Sequence, residues 1–213
     1  INGFDVTNMR TFLSFADTPF QAIAQQQVKT GGYGAEYGRS LGGIISILTK
    51  SGSNDFHYGG SIEWSPEWGR SAGRDVAQRD QDSLNPLYQY RSANECDSTV
   101  YSAYASGPSV KDRLFFFALA EGRRDTADTY GALTSQATRN TSPQGLLKLD
   151  WYLNDNNLLE FTGIYNQQKT RYNTYEYALT ADEENRYNVG QHELPIDQYE
   201  VETGGKVGIL KYT

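Results

Sequence analysis

The sequence predicts a mainly β fold, in which the C-terminal part of an α/β unit is followed by an incomplete antiparallel meander of transmembrane β-barrel strands. Three observations support this fold class. From Phe56 onward, several segments alternate apolar and polar residues with a period of two, as strands with one lipid-facing and one wet face do. The connections between them are alternately short and long, like the turns and loops of outer-membrane barrels. Residues 31–43 are rich in glycine and lead into a short apolar run, which indicates that a separate unit ends before the meander.

The composition agrees with a barrel and argues against nucleic-acid binding. The 213 residues include 16 Tyr, 9 Phe and 3 Trp. This excess of aromatic residues suits the girdles of a membrane barrel, although glycan-binding β proteins are also rich in tyrosine. Because the net charge is −7, we expect no nucleic-acid partner. Cys96 is the single cysteine and can form no internal disulfide.

Residues 1–54 form the predicted α/β unit. The Asn2-Gly3 pair predicts a tight turn, and Thr18-Pro19 predicts the start of a short helix. Residues 26–30 are a predicted strand that enters the glycine-rich loop. Residues 44–48 follow that loop, and because they are apolar and largely β-branched we expect a strand buried on both sides.

The glycine-rich loop does not match a nucleotide-binding loop. It lacks the Gly-Lys-Ser/Thr end of a Walker loop. Gly32 and Gly34 begin a G-x-G-x-x-G pattern, but the next glycine, Gly38, comes one place too late. A predicted strand follows instead of a helix, so no helix N-terminus is directed at an anion.

The same stretch resembles a known family. TGGYGAEYGRSLGGIISILTKSGSNDFHYG, residues 30–59, is similar to the end of the plug domain of TonB-dependent outer-membrane receptors as it passes into the first barrel strand. EYGRSLGG and TKSGSNDFHYGG are most similar to the Oar-like branch, and INGFDVTN and TPFQAIAQQQVKTGG also resemble the plug. The resemblance implies that residues 1–54 are the C-terminal part of a plug and residues 55–213 are the first barrel strands.

The resemblance implies a function in substrate uptake across the bacterial outer membrane. A receptor of this family would bind an extracellular substrate, whose identity the sequence does not give, and import it by rearrangement of the plug. Its partners would be outer-membrane lipid and the TonB energy-coupling protein, which would bind a segment upstream of residue 1. The resemblance implies no cofactor.

The meander is predicted to contain about six strands, too few to close a barrel, since known membrane barrels have at least about 8. We therefore expect a piece of a larger protein. The predicted strands lie near residues 56–64, 99–106, 114–121, 147–153, 159–166 and 204–213. The predicted long extracellular loops are residues 65–98, 122–142 and 167–203.

No residue pattern indicates catalysis or a resident metal. His57 and His192 have no nucleophile at a recognisable spacing, and Cys96 has no neighbouring base. The acidic residues of the loops lack the spacing of an EF-hand and are expected to be solvated. We expect no enzyme and no metal site.

Two sets of residues are candidates for binding. Trp68, Tyr88 and Tyr90 lie in the first long loop, where aromatic side chains could bind a sugar, a peptide or a ring system, or could simply pack the loop. In the EYGRS motif, the resemblance implies that Glu36, Tyr37 and Arg39 contact the barrel lumen and hold the plug in place. They could equally cap the local turn.

Two alternatives to a receptor come from other classes. A surface β module could bind glycans through Trp and Tyr, but it would need a second sheet to cover the apolar face formed by Leu147, Leu149 and Trp151. A passive outer-membrane porin would share the barrel and leave the plug-like motif unexplained.

Overall fold

A computed structural model of the protein describes residues 1–6, 18–32, 34, 43–77, 87–177 and 192–213. These residues are mainly β, as the sequence predicts, and within the described ranges the helical turns are short 3₁₀ helices at Phe20–Ala22, Glu67–Gly69 and Arg91–Ala93. None of the helices in that part of the chain has the length and apolar character needed to cross a bilayer.

The strands are β1 (Ile23–Lys29), β2 (Ile44–Thr49), β3 (His57–Ser65), β4 (Val76–Ala77), β5 (Leu87–Gln89), β6 (Glu95–Val110), β7 (Leu114–Tyr130), β8 (Thr134–Asn154), β9 (Asn157–Tyr165), β10 (Gln168–Glu176), β11 (Leu194–Thr203) and β12 (Lys206–Tyr212). They form an eight-stranded antiparallel sheet and two small two-stranded sheets, β1–β2 and β4–β5.

The N-terminal sheet differs from the prediction in two respects. The expected helix after Thr18-Pro19 is a single 3₁₀ turn, because β1 begins at Ile23 and pairs along its length with β2. β2 is not buried on both sides, since Ile45 is 61% exposed and Leu48 is 48% exposed. Only one face of a two-stranded sheet can pack against the large sheet, so a continuous apolar run does not ensure burial here.

The large sheet is a meander of six passes. Its strand order is β3, β6, β7 and β8, after which β9 and β10 both pair with β8. The pairs Gly145–Tyr165 and Thr141–Lys169 keep one register, so β9 and β10 are two halves of one pass. β11 and β12 likewise share one register and make the last pass. The six passes correspond to the six predicted strands.

The strands are longer than predicted, and the loop boundaries are therefore wrong. Residues 122–142 are not a long loop, because β7 continues to Tyr130, β8 begins at Thr134 and only residues 131–133 connect them. Residues 167–203 likewise contain β10 and β11. Both faces of these extensions are polar, so the sequence shows no alternation there although the backbone pairing continues. Turns 111–113 and 155–156 lie at the opposite end of the sheet from residues 131–133. We call these ends the short-turn end and the tip end.

The N-terminal residues pack on one face of the large sheet, which we call the covered face. Ile1 and Ala22 join a buried apolar cluster with Phe117, Leu119, Leu146 and Ile164. Polar contacts surround this cluster: Asn2 Nδ2 donates to Thr162 Oγ1 at 3.1 Å. Gln21 Nε2 donates to Ser61 Oγ at 2.6 Å. The opposite side is the open face, and because strand residues alternate, each strand supplies both faces.

Candidate functional site

The open face carries an apolar band. Along β8 it runs over nine residues from Pro143 to Trp151, with Leu147 at its centre and 41% exposed. Its cross-strand neighbours are also small, apolar or aromatic. They include Tyr58, Ile62, Tyr101, Ala103, Ala105, Phe116, Ala118, Ala120, Leu159, Phe161, Leu210 and Tyr212.

The dimensions of this band match a bilayer. A tilted strand crosses the hydrocarbon core with about 9–11 residues, and the band on β8 spans nine. Aromatic side chains lie at both ends: Trp151 and Tyr212 at the short-turn end, and Tyr101 and Trp64 toward the tip end. This placement is typical of the aromatic girdles of membrane barrels.

The covered face behind the band carries the buried apolar cluster described above and, nearer the short-turn end, buried charges. Lys148 is 4% exposed, and its Nζ donates to Ser51 Oγ at 2.8 Å. The same Nζ lies 3.6 Å from Glu160 and 3.8 Å from Asp150. Ser51 lies just after β2, so this cluster fixes the link between the N-terminal sheet and the large sheet. A charged cluster on the face behind an apolar band is typical of a barrel wall around a wet interior.

A polar network continues along the covered face toward the tip end. Ser98 Oγ donates to Asp125 Oδ1 at 2.5 Å, and Asn140 Nδ2 donates to Asp125 Oδ2 at 2.9 Å. Thr170 Oγ1 donates in turn to Asn140 Oδ1 at 3.1 Å. Burial alone would raise the pKa of Asp125, but hydrogen bonds from Ser98, Asn140 and Arg123 outweigh it and lower that pKa. The carboxylate is therefore charged at neutral pH.

A cavity of about 360 Å³ opens beside this network. It is lined by Glu63, Ser65, Arg70, Cys96, Ser98, Val100, Arg123 and Asp125. Arg123 Nε lies 2.8 Å from Asp125 Oδ2. The lining offers both guanidinium donors and carboxylate acceptors, so it suits a polar ligand that carries both kinds of hydrogen-bonding group.

An aromatic pair lies beyond the network on the same face. The rings of Tyr172 and Tyr199 stack across β10 and β11 with centroids 4.8 Å apart. Tyr199 is 45% exposed. We call the network, the cavity lining and this tyrosine pair the polar wall. The hydrogen bonds that Asn2, Gln21 and Ser51 form with the large sheet lie outside the polar wall.

The residues predicted from sequence lie elsewhere or outside the described ranges. Trp68 is 81% exposed and packs edge-on against Trp64 at 6.1 Å. Tyr90 is half-buried, and its backbone N–H donates to the carbonyl of Tyr130 at 3.2 Å. Only the backbone of Tyr88 is described, in β5. Glu36, Tyr37 and Arg39 are outside the described residues, so their proposed contacts stay predictions.

The polar wall was missed by sequence reasoning for a specific reason. Asp125, Asn140, Tyr172 and Tyr199 fall within segments predicted to be loops, and loop residues have no assigned face. Once the strands are known to continue, alternation from the apolar band assigns these side chains to the covered face. The length over which the strands pair would have identified these residues, and that length is a property of the tertiary structure.

His192 lies on the open face near the tip end, in an arrangement that superficially suggests a catalytic triad. Its Nδ1 is 2.8 Å from Ser135 Oγ, and its Nε2 is 3.5 Å from Asp128 Oδ1. The ring stacks between Tyr130 and Tyr175, at 5.2 Å and 4.6 Å. Ser135 is only 1% exposed, so its hydroxyl cannot reach a substrate. The cluster instead anchors the chain that precedes β11 to the tip of the β7–β8 hairpin.

Within the ranges that the structure describes, no group of three or more His, Cys, Asp or Glu side chains is arranged to hold a metal ion. Cys96, the single cysteine, is partly buried as a free thiol.

Comparison with known proteins gives one partial similarity. Over 119 residues, the chain is 29% identical to the TonB-dependent transporter Oar of Myxococcus xanthus. The match covers 55% of this chain and 11% of that protein, so the chain spans only a small part of the relative's length. No protein-family model matches the chain, and no solved structure matches it. The comparison supports a distant relation to a TonB-dependent transporter.

Proposed function

We propose that the chain is part of the wall of a TonB-dependent outer-membrane receptor or transporter, with its N-terminal residues on the lumen side. The observation that carries this proposal is the nine-residue apolar band of the open face, backed by the buried charges of the covered face. In a water-soluble sheet, side chains such as Tyr58, 84% exposed, and Ile62, 80% exposed, would leave a large apolar surface in water. In a bilayer the same surface is the expected one.

The polar wall is the proposed substrate-binding surface. It lies on the lumen side, beyond the height of the apolar band and beyond the contacts of Asn2, Gln21 and Ser51 with the large sheet. Its mixed guanidinium, carboxylate, amide and tyrosine groups suit a polar ligand, which would enter from the tip end. The tip end is then the extracellular end, because the strand extensions there are long and polar.

The N-terminal sheet is the proposed movable part. It is held by an apolar cluster, by hydrogen bonds such as Gln21 to Ser61 and by the Lys148–Ser51 contact. Energy transmitted by a TonB-type protein would break these contacts and shift the sheet, which opens a path for the bound substrate. The TonB part of this proposal comes from the similarity to the transporter Oar of Myxococcus xanthus.

The experiment is lipid-dependent quenching of site-specific labels in the complete polypeptide that contains this chain. Cys96→Ser removes the native thiol. Single cysteines at Leu147 and Leu149 on the open face, and at Gln144 on the covered face, are labelled with bimane in denaturant and refolded into vesicles. Lipids brominated in their acyl chains should quench the labels at 147 and 149 much more than the label at 144. Equal quenching at all three positions, or none, would refute a barrel wall.

A further inference from the structure

We propose that a phosphate-bearing lipid of the surrounding membrane binds the open face, with one acyl chain in a groove across β3, β6 and β7 and its phosphate on Arg124. This inference rests on the proposed membrane location of the open face. It adds a specific lipid site to that face, separate from the polar wall on the opposite side of the sheet.

The groove has a volume of about 710 Å³. Its floor is a cross-strand row of three residues without long side chains: Gly60, Ala103 and Ala120. Ile62 and Tyr101 form its wall toward the tip end, and they are 80% and 58% exposed. The lining on this face is apolar, so the groove suits a hydrocarbon chain.

A glycine shapes the tip-end wall of the groove. A Cβ placed on Gly122 would lie 2.2 Å from the ring of Tyr101. The tyrosine ring can therefore lie across β7 only because position 122 has no side chain. This places an aromatic surface at the boundary between the apolar band and the charged part of the open face.

Arg124 lies at the right height to bind a headgroup. It follows Gly122 by two residues on the same face of β7, about 7 Å further along the strand. In the same cross-strand row are Thr99, Thr141 and Trp64. Trp64 Nε1 donates to Asp97 Oδ2 at 3.1 Å, so its ring is apolar on one side and polar on the other, as interfacial tryptophans are. This row therefore lies at the level of the lipid headgroups.

Arg124 differs from the neighbouring cations on the open face. Arg139 lies 2.7 Å from Asp128, Lys169 lies 2.5 Å from Glu200, and Arg171 pairs with the same glutamate at 3.2 Å. Arg124 is exposed and forms no ion pair with any described residue. Its cross-strand neighbours are Thr99 and Thr141, and a guanidinium between two hydroxyl-bearing residues provides the kinds of donor that a phosphate needs. An anionic headgroup is the complementary partner.

The test is native mass spectrometry of the complete polypeptide in detergent, with lipid A as the probe and phosphatidylcholine and inorganic phosphate as comparisons. We expect lipid A to be retained in preference to phosphatidylcholine. Arg124→Gln should weaken lipid A binding roughly tenfold or more, as expected for loss of a charge-assisted contact. Arg171→Gln, which removes a paired cation of the same face, is the matched control and should leave binding unchanged. Ala120→Phe should fill the groove and also reduce lipid A retention.

The outcomes separate this inference from the proposed function. Folding of each variant is checked by heat-modifiable migration on gels, and membrane insertion by the bimane quenching described above. If the protein inserts but Arg124→Gln retains lipid A as the unchanged protein does, the lipid site is refuted and the barrel wall stands. If inorganic phosphate competes fully with lipid A, or Ala120→Phe has no effect, the groove does not hold an acyl chain and the proposal is overturned. If the unchanged protein does not insert into the membrane, the proposed function is refuted, and the lipid site that rests on it is refuted as well.

Discussion

A charge at the centre of the apolar band gives the most discriminating test of where the open face lies. Leu147 is four residues from both Pro143 and Trp151 on β8. Four residues of strand span about 13 Å, and a strand tilted by about 45° rises roughly 10 Å over that length. Leu147 is therefore near the midplane of any bilayer that the band crosses. We expect Leu147→Arg to destabilise the folded protein by about 2–4 kcal/mol in lipid.

The same substitution has a different effect if the open face is in water. Leu147 is 41% exposed, and surface substitutions of that kind usually change stability by no more than about 0.5 kcal/mol. Gln198→Arg is the matched control, because Gln198 lies on the open face of β11 beyond the apolar band. In lipid, near the interface, it should cost no more than about 1 kcal/mol.

The assay is equilibrium unfolding by urea of the complete polypeptide refolded into vesicles, followed by tryptophan fluorescence. The free energy of unfolding is compared between the unchanged protein, Leu147→Arg and Gln198→Arg. A difference of about 2 kcal/mol or more between the two variants supports a lipid-facing band. If the variants agree within about 0.5 kcal/mol, the reasoning that places Leu147 in hydrocarbon is wrong.

Three further predictions concern the covered face, a turn and the tip end. Lys148→Met should cost about 3–5 kcal/mol of unfolding free energy, because it leaves the buried Asp150 carboxylate without its cation. Lys211→Met, at a 47% exposed side chain, should cost less than about 1 kcal/mol, because Glu160 keeps its contact with Lys148. Similar losses for both would contradict the burial argument. Gly204→Ala should lower the urea midpoint of unfolding, because φ at Gly204 is +82° and the added Cβ would lie 2.0 Å from a backbone oxygen. Gly31→Ala is the control, since a Cβ added there has no heavy atom within 4 Å. Burial raises the pKa of Tyr177 to about 12. The contribution of Tyr177 to stability is therefore complete below the ordinary tyrosine pKa of about 10 and is lost as the pH rises through about 12. Absorbance titration at 295 nm should show one phenol that ionises at higher pH than the others, and Tyr177→Phe should remove it.

Much of the meander could be predicted because its information is local. Leu147, Leu149 and Trp151 alternate with polar residues, and this alternation predicts a strand with one apolar and one polar face. The same reasoning located all six passes and the apolar side of β8. It failed for the extensions of β7 and β8 toward the tip end, because polar residues occupy both faces there: Asp125 lies on the covered face and Arg139 on the open face. Cross-strand pairing orders these extensions, and contacts such as the 2.7 Å ion pair between Asp128 and Arg139 join them.

The residues of the candidate site were less predictable than the strands. Trp68 was selected for its residue type, yet it is 81% exposed beside Trp64 and lies outside the cavity lining. Asp125 and Asn140 carry no sequence signal, since a single polar residue in a polar segment is ordinary. They form a site only because consecutive strands place them in one cross-strand row, within hydrogen-bonding distance of each other.

The sequence by itself determined the class of the fold, the number of strand passes and the apolar face of the band, because the alternation of apolar and polar residues is visible in neighbouring positions. Only the tertiary structure decided how far the strands extend, which face the N-terminal sheet covers and which charges are buried. Lys148 illustrates the difference. In the sequence it is one polar residue of an alternating strand, whereas in the structure it is buried and donates to Ser51, which is 97 residues away in the chain. Contacts between residues so far apart in the chain depend on strand register and packing, which a local sequence pattern does not reveal.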